Sequence, residues 1–264
     1  MKKAINAWAF VNKTPVEAMT IAKEAGYDGI ELNLEASGPT GLDSTPNDWA
    51  KIRAYSEEIG LPIHSVSTGL HWGSPLTSND EDVREKAIAI VEKELEMAKA
   101  LGADAILVVP GLVDDNVSYD VAYDRSLAAF MRLKEKAEAL KIKIGIENVW
   151  NQFLLSPLEM RDFADKINSP YVGVYFDIGN ILYTGLPEQW IRILGKRICK
   201  LHFKDYRRSG AFVDLLSGDV NWPAVMTALK DIGYDGWATA EMGPYTYNPE
   251  HIVWSTCAAM GQIL

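Results

Sequence analysis

The sequence predicts a closed (β/α)8 barrel of the α/β class, on three observations. Its 264 residues divided among eight units allow about 33 each, the size of one strand plus its crossover helix. Short apolar, β-branched runs alternate strictly with stretches of helical period along the whole chain. No composition shift, Pro/Gly/Ser tract or charge block marks a boundary, so one domain over 1–264 is expected. The alternative, an open doubly wound sheet, would want a glycine-rich phosphate loop after an early strand. No G-x-G-x-x-G or P-loop occurs.

The first run, Ile5–Phe10, precedes a helix opened by Thr14-Pro15, a cap followed by an early proline, and closed at Gly26. Gly29–Leu34 leads to a helix over Asn47–Ile59. Pro62–Thr68 precedes the longest helix, Ser78–Leu101, whose Val83, Ala87, Ile90, Val91, Leu95 and Ala98 recur at helical spacing before Gly102. Ala105–Val109 is followed by Tyr119–Leu140, and Ile142–Glu147 by Pro157–Ile167. Val172–Asp177 is followed by Pro187–Leu194, Ile198–Lys204 by Trp222–Ile232, and Trp237–Met242 by Pro249–Ile263. After Ala25, Leu101 and Ile232 the chain repeats a Gly-Tyr-Asp or Gly-Ala-Asp phrase, which reads as a glycine at positive φ turning the helix end into the next strand. Strict alternation implies parallel strands joined by right-handed crossovers.

Composition narrows the partners. No apolar run approaches the ~20 residues of a membrane span. The 36 acidic against 26 basic residues leave a charge of −10, which disfavours nucleic acid and anionic membranes and suits a small neutral or metal-bound substrate. Two cysteines, Cys199 and Cys257, cannot build a disulfide framework, so a reducing, cytoplasmic setting is expected. The apolar stretch after Lys2-Lys3 faintly resembles a secretory signal but is short, is interrupted by Asn6 and runs into Asn12-Lys13-Thr14-Pro15 without a small-residue cleavage site, so no secretory leader is expected.

In such a barrel the chemistry lies at the C-terminal ends of the strands. The last polar residues of the later runs are Glu147 in KIKIGIEN, Asp177 in VGVYFDIGN, His202 in ICKLHFKD and Glu241 in WATAEMG. Singly, each reads as a loop entry, a helix cap or a hydrogen-bonded histidine. Together, three carboxylates and an imidazole on one rim would repel one another unless protons or a cation compensate. An oxygen-rich set suits a divalent ion such as Mn2+ or Mg2+, with Co2+ possible because one nitrogen is present; Mn2+ is the expected ion. The absence of cysteine argues against structural zinc.

The motifs I-E-N, F-D-x-G-N and L-H-x-K-D, with the phrase GYDGIEL, make the chain resemble the xylose-isomerase-like superfamily of sugar isomerases and epimerases over essentially its whole length. In motif it is most similar to the metal-dependent ketose 3-epimerases. The resemblance implies that Glu147, Asp177, His202 and Glu241 hold a divalent metal, which acidifies the C3 proton of a ketose by stabilising the developing enediolate. It also makes Glu147 and Glu241 the acid/base pair and leaves Asp177 and His202 as pure ligands. Asn180 stands where the family's F-D-x-x-H histidine contacts the sugar; it keeps a donor and loses the titratable group. Arg208, six residues after His202, matches an arginine that binds the sugar's first hydroxyls, with Arg207 in the adjacent register. Glu31, from the I-E-L phrase, and His71, Trp72 and Trp8 are the remaining expected substrate contacts, the tryptophans as rim aromatics with Trp150 a further candidate. His64 reads as a core residue.

A phosphorylated sugar would need Arg207, Arg208 and the Ser217-Gly218-Asp219 turn; Asp219 opposes this, and a free ketose is favoured. Endonuclease IV, of the same superfamily, needs more histidines than the four present. An inosose-type dehydratase or an aldose–ketose isomerase can use the same metal and carboxylates. A non-catalytic sugar-binding barrel would be expected to lack a ligand, and all four are intact. A homodimer or homotetramer is expected through surface helices, the terminal helix with Trp254 being a candidate contact.

Overall fold

The computed structural model describes residues 1–264. Lys2–Asn6 (β1), Gly29–Asn33 (β2), Ile63–Ser67 (β3), Ala105–Val108 (β4), Lys143–Glu147 (β5), Val172–Asp177 (β6) and Ile198–Phe203 (β7) are parallel strands. Further along lie Asp205–Arg207 (β8) and Ala211–Val213 (β9), an antiparallel hairpin, and then Trp237–Ala240 (β10). The order β1-β10-β7-β6-β5-β4-β3-β2 closes on itself, so β10 is the eighth barrel strand. The (β/α)8 expectation holds.

The crossover helices are Pro15–Ala25 (α1), Pro46–Ile59 (α2), Glu81–Leu101 (α4), Tyr119–Leu140 (α5), Pro157–Ile167 (α6), Pro187–Leu194 (α8), Trp222–Asp231 (α9) and His251–Ile263 (α10). Leu70–Gly73 (α3) and Ile178–Ile181 (α7) are single turns. Thr14 and Glu17 form a reciprocal capping box, worth about 1 kcal/mol. Gly26, Gly102 and Gly233 take positive φ, as their shared phrase required.

Three features depart from the sequence expectations. Only the first two residues of Ile5–Phe10 lie in β1, because the Asn6 side chain accepts from the Trp8 amide and turns Ala7–Ala9 into a 3-10 helix. The short α3 and α7 follow β3 and β6 without periodicity to announce them. The β8–β9 hairpin lies inside what the sequence presents as a plain loop, and it carries side chains to the mouth of the barrel.

The interior of the barrel is polar on one level. His64 bonds Thr239 and stacks on Trp237 at 4.6 Å, as expected of a core histidine. Lys200 Nζ donates to the His64 carbonyl and pairs with Asp104.

A second buried pair is incompletely satisfied. Glu94 on α4 is fully enclosed and neither oxygen has a hydrogen bond. The Val109 amide donates to His71 Nδ1, so the neutral ring carries its proton on Nε2, 3.7 Å from Glu94. Burial, with Glu31 nearby, pushes the Glu94 carboxyl well up, and burial holds His71 down to about 4. Folded Glu94 thus keeps a proton that the unfolded chain releases near 4.5, so its contribution to stability is lost as pH rises from there through the folded value. Glu94→Gln, which can bond His71 without a charge, is expected to stabilise the protein by about 1–3 kcal/mol at pH 8 and far less at pH 5. Calorimetric melts at the two pH values check this; equal Tm changes would refute it.

Candidate metal centre

Glu147 ends β5, Asp177 ends β6, His202 lies one residue before the end of β7, and Glu241 follows β10. Parallel strands present these ends to one rim, so four separate units deliver four side chains to one place. One donor atom from each lies within 4.8 Å of the others. Asp177 Oδ2, His202 Nδ1 and Glu241 Oε2 are buried, and beyond one another their charged neighbour is a single ammonium, Lys204 Nζ. Three buried carboxylates are undercompensated by one lysine, and donor atoms converging on one point fit a divalent cation that completes them. Three carboxylates and one imidazole are the donor set of a hard or borderline divalent ion.

Below the rim, Glu31 holds His202 in place. It is fully buried and its Oε1 accepts from His202 Nε2 at 2.8 Å and from Asn6 Nδ2 at 2.6 Å. Oε2 accepts from Ser65 Oγ and Tyr175 Oη, both at 2.5 Å. Asn6 and Ser65 come from the neighbouring strands β1 and β3, but β2 does not adjoin β6 or β7 in the ring, so the bonds from Tyr175 and His202 cross the barrel interior. Burial raises the Glu31 carboxyl, but the His202 imidazole beside it outweighs this and brings it down to about 2. Glu31 and Glu241 raise the His202 imidazole, so among the protein groups alone it is held as the imidazolium; with Nε2–H given to Glu31, loss of the other proton to a bound cation would leave the lone pair on Nδ1, toward the carboxylates. Glu31, expected at the substrate, is fully enclosed and holds His202 from behind.

Lys204 is the centre's own cation. Its Nζ contacts Glu241 Oε2, lies 3.2 Å from Asp177 Oδ2, and stands over the Phe212 ring at 5.0 Å. It lies just past the end of β7, two residues after His202 in L-H-x-K-D, a spacing that keeps the two side chains on one face where the backbone continues extended. Burial and the Glu241 charge raise the Glu147 carboxyl well above the usual range. Burial also pushes Glu241 up, but Lys204 and His202 outweigh it and hold that carboxyl low. Among the protein groups alone, one glutamate therefore tends to keep a proton and the other to be ionised.

Asn148, which the sequence reading passed over, clamps the two strand ends: its Nδ2 donates to the Asp177 carbonyl and its Oδ1 accepts from the Asp177 amide. Asn180 is buried beside it, with its Nδ2 on the Asn148 carbonyl and its amide on Asp177 Oδ1. It braces the β5 and β6 ends with one of its two Nδ2 hydrogens and lines a neighbouring cavity with Trp150 and Tyr183.

A cavity of about 410 Å3 opens over Glu241 and Lys204, walled by Trp8, Phe212, Asp214 and Tyr245. Trp8 is thus where a rim aromatic was expected. Trp72 is exposed on α3 and does not line this cavity. His71 is buried against Glu94, away from the cavity. Arg208 is exposed and its Nη2 bonds the Gly185 carbonyl, because the hairpin turns it outward over the α7–α8 loop. Of the expected substrate contacts, Trp8 alone lines this cavity. Trp150 joins an aromatic cluster with Tyr183, Tyr206 and Phe212, at ring separations of 5.2, 5.4 and 4.9 Å.

The sequence is similar to the putative L-ribulose-5-phosphate 3-epimerase SgbU of Escherichia coli, 26% identical over 245 residues covering 86% of this chain and 82% of the relative. It is equally similar to the L-ribulose-5-phosphate 3-epimerase UlaE of Salmonella heidelberg, 26% identical over 236 residues, covering 86% and 81%. Among solved structures, D-psicose 3-epimerase from Clostridium cellulolyticum, crystallised with D-tagatose, superposes with a TM-score of 0.84 at 18% identity, covering 100% of this chain and 98% of that one. The profile of the family described as xylose isomerase-like TIM barrel matches residues 19–257. With the matched segment spanning most of the barrel and its ligand set, the chain belongs to the xylose isomerase-like TIM barrel family.

Proposed function

We infer that this protein is a metal-dependent ketose 3-epimerase. The observation that carries this is the convergence of Glu147, Asp177, His202 and Glu241, with the two glutamates on either flank of the two other ligands: β6 and β7 lie between β5 and β10. Names of similar proteins, including the two L-ribulose-5-phosphate 3-epimerases, support the same reaction. The four residues would hold Mn2+, or Mg2+ or Co2+, and the bound ion would supply Lewis-acid polarisation of the ketose carbonyl.

The remaining work falls to the chain. One glutamate removes the C3 proton, and the other returns a proton to the opposite face of the planar enediolate. Glu31 holds His202 rigid through Nε2. Lys204 balances the charge of Asp177 and Glu241 and limits their repulsion. Trp8 and Phe212 shield the cavity from water and face the apolar side of the sugar. The protein works in a reducing compartment such as the cytoplasm, and pairs with further copies of itself through surface helices.

Proton NMR in D2O tests the reaction, using Mn2+-loaded protein and a panel of ketoses, aldoses and inosose. Deuterium at C3 with a new diastereomer is the expected result. Label at C1 would make the enzyme an aldose–ketose isomerase, and an enolic product with loss of a hydroxyl would make it a dehydratase.

A further inference from the structure

We propose that the substrate is an uncharged ketose and that the site excludes its phosphate ester. This rests on the epimerase assignment above and narrows it. In (β/α)8 barrels a phosphate is commonly held by backbone amides of the loops after strands seven and eight, with a helix N-terminus behind them. Here those elements are the turn between β9 and α9 and the segment after β10.

The chain's own carboxylate occupies that turn. Asp205 is fully buried and accepts from the amides of Tyr206, Leu216, Gly218 and Val220, at 2.9, 3.1, 3.2 and 3.3 Å, and from Trp222 Nε1 at 3.1 Å. The fit leaves no spare room: a Cβ added at Gly218 would lie 2.0 Å from Asp205 Oδ1. The α9 amide of Ala224 is likewise taken, by Asn221 Oδ1. A nest that would serve a phosphate is filled by an internal anion.

Free positive charge is also missing where an ester would lie. Lys204 is the one cation lining the cavity over Glu241, and it is engaged with Asp177 and Glu241. Arg207 Nε donates to the Ser217 carbonyl and Arg208 Nη2 to the Gly185 carbonyl, so both arginines tie down loops. The cavity wall instead offers Phe212, Val213, Met242 and Pro244, and a second carboxylate, Asp214, which accepts from Tyr245 Oη. A phosphate dianion placed there would lose water against apolar groups and face Asp214 and Glu241, with Lys204, already paired to two carboxylates, as the one cation at hand. A neutral sugar meets neither cost, and its hydroxyls can donate to Asp214. Asp214 is thus a specificity residue that discriminates by repulsion.

The test compares D-fructose, D-tagatose, D-psicose and L-ribulose with their terminal phosphates on Mn2+-loaded protein. Binding is measured by calorimetry and turnover by C3 deuterium exchange. Binding and kcat/KM for at least one free ketose should exceed those for its ester by about tenfold or more. Asp214→Arg, at an exposed position, should shrink that ratio about tenfold, chiefly through KM for the ester. Equal or better use of the esters overturns the proposal, as does failure of every free ketose to bind. A ratio unchanged in Asp214→Arg overturns the role of Asp214. A free ketose that binds in preference to its ester but exchanges no C3 proton upholds the ligand class and removes the epimerase assignment.

Discussion

Replacing either Glu147 or Glu241 by glutamine is expected to abolish epimerisation, with a loss of at least about 10²–10⁴ in kcat at matched metal content. The amide keeps the size of the carboxyl and cannot take the proton. Two groups on opposite flanks are needed because inversion at C3 requires removal on one face and return on the other. Any residual deuterium wash-in should therefore be confined to the epimer whose C3 proton faces the surviving carboxylate, a different epimer in each variant. Their environments differ: burial and Glu241 raise Glu147, while Lys204 helps to hold Glu241 low. Because both are candidate ligands, metal content must be measured beside exchange, so that loss of the ion is separated from loss of proton transfer. Normal epimerisation in either variant would remove the acid/base assignment.

Glu31→Gln carries the second large effect, on metal binding rather than on the proton. The Glu31 carboxylate accepts from four donors, two of them His202 Nε2 and Asn6 Nδ2 on the same oxygen. A glutamine must turn its NH2 toward one of these pairs. Facing the two hydroxyls of Ser65 and Tyr175, it leaves His202 held by a weaker neutral acceptor. Facing His202, it forces the proton to Nδ1 and removes the lone pair directed at the carboxylates. Either outcome should weaken divalent metal binding by about 10–100-fold, as loss of a partner behind a ligating histidine does. It should also cost about 3–5 kcal/mol of stability, because one side of a buried charged pair is removed. Mn2+ titration calorimetry reads the affinity and 15N NMR reads the His202 tautomer. An unchanged Kd and tautomer would show that Glu31 serves packing alone.

Much of this was legible before any coordinates. Alternation of β-branched runs with helical periods yields eight units, and a parallel barrel then sends every strand end to one rim. Glu147, Asp177, His202 and Glu241 could be picked out for that reason alone. His64 in the core and the glycine turns at Gly26 and Gly102 followed from equally local rules.

The surroundings of Glu31, His71, Arg208 and Asp205 become visible with the folded chain. A strand's period of two says which side of the sheet a residue faces, but not its height along the barrel or what stands across the interior. Glu31 meets His202 and Tyr175 because closure of the ring brings β2 opposite β6 and β7 at that level. Nothing near Glu31 in the chain carries that information. Arg208 lies at a suggestive spacing from His202, yet the β8–β9 hairpin between strand and helix turns it outward and brings Phe212 and Asp214 to the cavity instead. Asp205 likewise reads as one more acidic loop residue until five donors from the following turn are seen to close around it. Local pattern is enough to say which groups reach the rim; distances across the barrel settle which of them converge on the centre and which hold one another.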